Sequence, residues 1–150
     1  AEEAIFEDKA LLININRLYK RKMSQDDIYE AVRKYWKINL NRARQIKLVC
    51  AVAQGIIRGV FYQDRWLVST RGDKRCYFDG RLAEKSVVNK YLNKSVNKYW
   101  KKGGSSAMTI LLVAKGFANF SSDNVKWDNS VEIRNGWVKP GENKIQKNDD

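Results

Sequence analysis

Residues 45–62 read QIKLVCAVA, then Gln54-Gly55, then IIRGVFY. Two apolar, β-rich runs on either side of a glycine-containing pair predict a β-hairpin, because each run is strand-sized and the pair permits a tight turn. Gly59 inside the second run predicts a bulge or a close backbone approach. This hairpin is the segment around which the rest of the chain has to be arranged.

The flanking chain adds further elements. Ala10 to Asn16 (ALLININ) reads as a strand, followed by a basic loop, RLYKRK. Ser24 with Asp27 three residues on, and Asp26 and Asp27 in a first turn, announce a helix over about Gln25 to Trp36. Its apolar positions Ile28, Ala31, Val32, Tyr35 and Trp36 fall on one face. After the hairpin, Gln63-Asp64-Arg65 reads as a turn, Trp66 to Ser69 as a strand, Arg71 to Lys74 as another turn and Arg75 to Phe78 as a strand. A second helix is expected over about Leu82 to Leu92, a basic glycine loop ending at Gly104, and a strand over Met108 to Ala114. Asn135-Gly136 within 131–139 signals a hairpin, and the last residues read as a frayed tail. The fold class that follows is α+β: a curved, mostly antiparallel sheet or small barrel carrying two main helices and a C-terminal hairpin. The expected divisions are a domain over 1–115, an accessory hairpin of the same domain over 116–139, and a flexible tail over 140–150.

Composition enters through charge. The chain has 150 residues, 43% hydrophobic, enough for one core. Its formal net charge is +12, and between Lys9 and Lys115 it carries 24 basic residues against 7 acidic ones. Such an excess concentrates polyanions and releases their counterions on contact, which makes nucleic acid the favoured partner; no membrane partner is expected, because the apolar runs are only strand-sized. No apolar run reaches the length of a membrane span and no signal peptide is visible, so a cytoplasmic location is expected.

Several chemistries are excluded or weakened. There is no histidine, so Ser-His-Asp and Cys-His arrangements are impossible, and two cysteines, Cys50 and Cys76, make no zinc site of the usual kind. Gly103-Gly104-Ser105-Ser106 lacks phosphate-loop spacing. Glu142 and Lys144, with Asp128 upstream, lie in the expected tail and make a poor metal site. Asp79 and Glu84 are the carboxylates left for a metal-dependent nuclease or base-processing hydrolase. The expectation is therefore no catalytic residue, no metal and no cofactor.

What remains is aromatic rings among cations, the combination that holds unpaired bases. Trp36, Trp66, Trp100 and Trp127 each have a lysine or arginine beside them. Trp36, at helical spacing, is more readily a core residue than a ligand contact. Arg58, Arg71, Lys74, Arg75, Lys94, Lys101 and Lys102 are the candidate phosphate contacts.

The order of the segments LLININRLYKRKMSQDDIYEAVRKYWKIN, RARQIKLVCAVAQGIIRGVFYQDRW and RCYFDGRLAEKSVVNKYLNKSV, followed by a glycine loop before ILLV, resembles PUA-like modules of the EVE and ASCH kind. Several of these are attached to bacterial restriction and defence systems. The resemblance implies a bent β-barrel with rim helices and a nucleic-acid-binding role, sometimes with a modified or flipped base in an aromatic pocket. Trp36, Trp66 and Tyr77 would wall that pocket, with Arg58 and Arg75 at its rim. The Lys, Thr and Glu trio of ASCH-type amidohydrolases has no convincing match. Two other functions stand beside this one: a nuclease or base-processing hydrolase of a defence system, and a protein-interaction subunit whose charge meets an acidic partner.

Overall fold

A computed structural model describes residues 1–99 and 110–113. The expected hairpin at 116–139, the tail at 140–150, and Trp100, Lys101, Lys102 and Trp127 lie outside the described residues.

The chain is α+β. Strands β1 (Ala10–Asn14), β2 (Leu48–Ala53), β3 (Ile56–Val68), β4 (Cys76–Leu82) and β5 (Ile110–Val113) form one sheet in the order β4-β3-β2-β1-β5. Helices α1 (Gln25–Arg33), α2 (Leu40–Ala43) and α3 (Lys85–Tyr91) accompany it. Pairings β2 with β3, β3 with β4 and β1 with β5 are antiparallel, whereas β1 and β2 run parallel across the connection that holds α1 and α2. The sheet is thus mixed. Among the described residues it is also open, with β4 and β5 at its edges, so the barrel alternative is not what they form.

At β2 both sheet faces are covered, which is why its residues, LVCAVA, are apolar at every position and wholly buried. Leu11, Ile13, Val49, Ala51, Phe61, Trp66 and Phe78 pack one face against Ile28 and Val32 of α1. Leu12, Cys50, Val52 and Val60 pack the other against Tyr91 of α3, Val96 and Tyr99. The acidic N-terminal segment belongs to this second layer: Ala4 and Phe6 are buried, and the Phe6 ring stacks on Tyr91 at 4.7 Å. Cys50 and Cys76 are free and buried in separate layers. No described helix is long and apolar enough to cross a membrane.

Strand β3 carries two bulges. The register passes from Ala51↔Gly59 to Val52↔Ile57, leaving Arg58 extra, and from Gln63↔Gly80 to Arg65↔Asp79, leaving Asp64 extra. Each bulge reverses which parity faces which layer, so Phe61 and Trp66 share a face despite their odd spacing. The turn expected at Gln63-Asp64-Arg65 is therefore the second bulge, and one 13-residue strand replaces two short ones. Buried Gln63 supports it from the side, donating from Nε2 to the Ile46 carbonyl at 3.1 Å.

Helix α1 begins as expected, Ser24 Oγ accepting from the Asp27 N–H at 3.0 Å. It stops at Arg33 rather than Trp36, because Trp36 and Cys76 exchange two backbone hydrogen bonds of 2.8 Å each and draw that segment against the sheet. β4 runs on to Leu82, which leaves only Lys85–Tyr91 for the second expected helix.

Candidate nucleic-acid interface

β4 is an edge strand, and its even-numbered residues turn their backbone groups outward. Cys76 is paired by Trp36, the Phe78 carbonyl accepts from Arg33 Nε at 2.9 Å, and the Gly80 N–H donates to the Tyr29 hydroxyl at 2.8 Å. Tyr29 and Arg33, one helical turn apart on α1, thus sheathe an edge that would otherwise invite pairing by another strand. Arg33 then reaches round to the far face, where Nη2 pairs with Asp79 and the guanidinium lies 5.5 Å from the Tyr77 ring centre. Partial burial opposes its charge, but Asp79, Tyr29 and Glu30 outweigh that and raise its pKa.

That far face is the site. The second core cluster includes no residue of β4 and reaches β3 only as far as Tyr62. Beyond it, cross-strand partners Arg65 and Asp79, and Leu67 and Tyr77, sit on a half-open surface. Tyr35 joins them: one position before Trp36, it meets Tyr77 edge-on at 5.9 Å. Arg71, from the turn between β3 and β4, places its guanidinium 3.9 Å from the centre of the Tyr35 ring and pairs with Asp73. The Arg75 N–H and Arg71 hold the Asp73 carboxyl below its ordinary range. Arg75 Nη1 lies 3.5 Å from the Tyr35 carbonyl oxygen, and Lys34 approaches the same ring at 5.8 Å. Lys74, exposed, stands in the same turn. Rings and guanidinium planes side by side can stack bases, and the remaining N–H groups can hold phosphates.

The sequence-derived site residues are dispersed over several places. Arg71, Lys74, Arg75 and Tyr77 come together here. Trp36 packs instead against the α1-side core and donates its indole N–H to the Val32 carbonyl at 2.7 Å. Trp66 is only 1% exposed, beside Phe78, and offers no face to a base. The three rings therefore do not share a pocket: the second bulge and the Trp36–Cys76 pairing turn both indoles to one side of the sheet and Tyr77 to the other. Arg58 lies at the opposite end of β3, roughly 25–30 Å away at strand rise, where it closes the hairpin turn through the Ala53 carbonyl and Gln54 and covers Tyr19 at 4.8 Å. Lys94 is held by Glu2 at 3.0 Å, one of three ion pairs, with Glu3–Lys98 and Glu7–Lys90, that fasten the acidic N-terminal segment.

Asp79 and Glu84 do not converge. Asp79 is shared by Arg33 and Arg65, whereas Glu84 accepts from the Tyr62 hydroxyl at 2.9 Å. No group of potential metal ligands forms among the described residues. Sequence reasoning missed Tyr35, Arg33 and Arg65. Tyr35 was hidden by its apparent helical spacing, and the available signal was the YW pair at a helix end, where a chain leaving the helix turns alternate rings to opposite sides.

A family model described as "Protein of unknown function (DUF3078)" matches residues 92–150. That span meets the described chain only at 92–99 and 110–113, and leaves the surface just described outside it. No curated protein and no solved structure matches the chain.

Proposed function

We propose that the protein binds nucleic acid, DNA or RNA, on the open face of β3 and β4, with unpaired bases against Tyr35 and Tyr77 and phosphates against the surrounding arginines. The observation that carries this reading is the packing of two half-buried tyrosines with Arg33 and Arg71 on a sheet face that none of the described helices covers. Arg33, Lys34, Arg65, Arg71, Lys74 and Arg75 surround the rings, against Glu30, Asp73 and Asp79. Net positive charge next to stackable rings is the arrangement by which sheet surfaces hold single strands. A PUA-like barrel lends the reading no support, since the described sheet is open; the support lies in the surface itself.

A salt-titrated gel-shift panel of single- and double-stranded DNA and RNA, with and without magnesium, tests it. Single strands are expected to shift more strongly than duplexes of the same length, and to be released as salt rises. Absence of any shift at roughly 50 mM salt, where phosphate contacts are strongest, contradicts the proposal. Magnesium-dependent cleavage of the probe replaces it with a nuclease.

A further inference from the structure

On the sheet face opposite α1, a cleft of about 540 Å³ opens beside Tyr62. Four cations line it, each from a different part of the chain: Lys9 before β1, Lys47 before β2, Arg81 on β4 and Lys90 on α3. Leu48 and Val87 add apolar surface. Two carboxylates are present, and both turn toward phenols. Glu84 accepts from the Tyr62 hydroxyl at 2.9 Å, and Asp8 from the Tyr91 hydroxyl at 3.3 Å. The Tyr62 ring is flanked by Lys47 at 5.1 Å and Arg81 at 5.3 Å from its centre.

Three of these cations, Lys47, Arg81 and Lys90, keep donors in reserve. Arg81 uses Nη1 on Asp64, which leaves Nε and Nη2, and Lys90 uses one ammonium hydrogen of three on Glu7. Lys47 makes no ion pair among the described residues and sits over a ring face. Positive groups from four separate elements have been brought around one concavity whose size falls within the range of small-molecule sites. An anion there would gain charge-assisted hydrogen bonds from several directions at once.

We infer that this cleft is a binding site for a small phosphorylated molecule. Its phosphate is held by Lys47, Arg81 and Lys90, and its apolar part lies against Leu48 and Val87. The cleft adjoins the β3–β4 surface bearing Tyr35 and Tyr77, Arg81 lying two residues along β4 from Asp79, but its lining shares no residue with the rings and cations of that surface, so variants can separate the two.

The test is isothermal titration calorimetry on the full chain with phenyl phosphate, inorganic phosphate and sulfate at constant ionic strength. Expected are one saturable site, phenyl phosphate tighter than inorganic phosphate, and sulfate weakest. Lys47→Gln, which breaks no described ion pair, should weaken phenyl phosphate by about tenfold, the effect of one charge-assisted hydrogen bond. Arg81→Gln should do at least as much, with circular dichroism checking that the sheet persists. Lys22→Gln, in the basic loop after β1, should change nothing. Binding that does not saturate by about 10 mM, an affinity too weak for a built site, overturns the inference. So does equal weakening by Lys22→Gln, which would mean attraction by net charge alone, or equal affinity for all three anions. Loss of oligonucleotide binding in Lys47→Gln would instead place the cleft on the nucleic-acid path and refute a separate small-molecule site.

Discussion

The Arg71 guanidinium lies 3.9 Å from the centre of the Tyr35 ring, closer than any other cation–ring contact among the described residues. It ties the β3–β4 turn to the segment that follows α1, and so assembles one surface from two parts of the chain. Arg71→Ala is expected to weaken oligonucleotide binding by roughly tenfold, and Arg71→Lys by nearly as much, because an ammonium keeps the charge without the stacking plane. Fluorescence anisotropy at fixed salt measures this. Full affinity in the lysine variant would show that only charge matters at this position.

Arg33 is predicted to be a structural residue as well as a binding one. Arg33→Ala leaves the Phe78 carbonyl and Asp79 without their partner and should cost about 2 kcal/mol, in the range for hydrogen bonds to charged groups. It also bares the β4 edge, so sedimentation should show concentration-dependent self-association absent from the parent protein. A monomeric variant of unchanged stability would mean the edge needs no sheath.

Trp66 separates stability from recognition. Buried against Phe78, it should cost about 3–5 kcal/mol when replaced by alanine, as large core rings do. The less disruptive Trp66→Phe should leave oligonucleotide affinity unchanged. Urea unfolding and anisotropy on the same samples check both parts, and a folded Trp66→Phe variant with weakened binding would return this ring to the binding site.

Alkaline pH should unfold the protein earlier than neutral pH. Burial pushes the Tyr99 hydroxyl up to about 12, and its pKa is about 10 in an unfolded chain. A folded pKa above the unfolded one means that the stabilisation is complete below about pH 10 and is lost as pH rises toward 12. Burial raises the Cys50 thiol and the Tyr91 hydroxyl in the same sense. Thermal unfolding midpoints should therefore fall steeply between about pH 10 and 12. The fall should be shallower in Tyr99→Phe, and an identical slope in that variant would contradict the assignment.

Local signals made part of this architecture legible. The Gln54-Gly55 hairpin, the Ser24 cap and the strand at Ala10 are each specified within a few residues, and each forms where the pattern places it. The parallel pairing of β1 with β2 has no local signature, since it depends on α1 lying across the sheet between them. Asp64 resembled a turn because a charged residue extruded at a bulge and one exposed in a turn look alike in sequence. That misreading also leaves the facing of Trp66 open in the sequence, and its pocket role comes only from the resemblance. At the site, the basic turn containing Arg71, Lys74 and Arg75 was legible from composition. The partnership of Tyr35 with Tyr77 was not, because it is set by the register between Trp36 and Cys76. The acidic N-terminal residues carry no local structural signal, yet Glu2, Glu3 and Glu7 dock against Lys94, Lys98 and Lys90 around a buried Phe6.

The most direct measurement is the salt dependence of binding to a single-stranded oligonucleotide for the parent chain and for a Tyr35→Ala, Tyr77→Ala double variant. A linear fall of log affinity with log salt is predicted for both, with the same slope. The variant should be displaced by about 2–6 kcal/mol at every salt concentration, the loss of two stacked bases. Superimposable lines for the two proteins, or no measurable binding by either, would contradict the account.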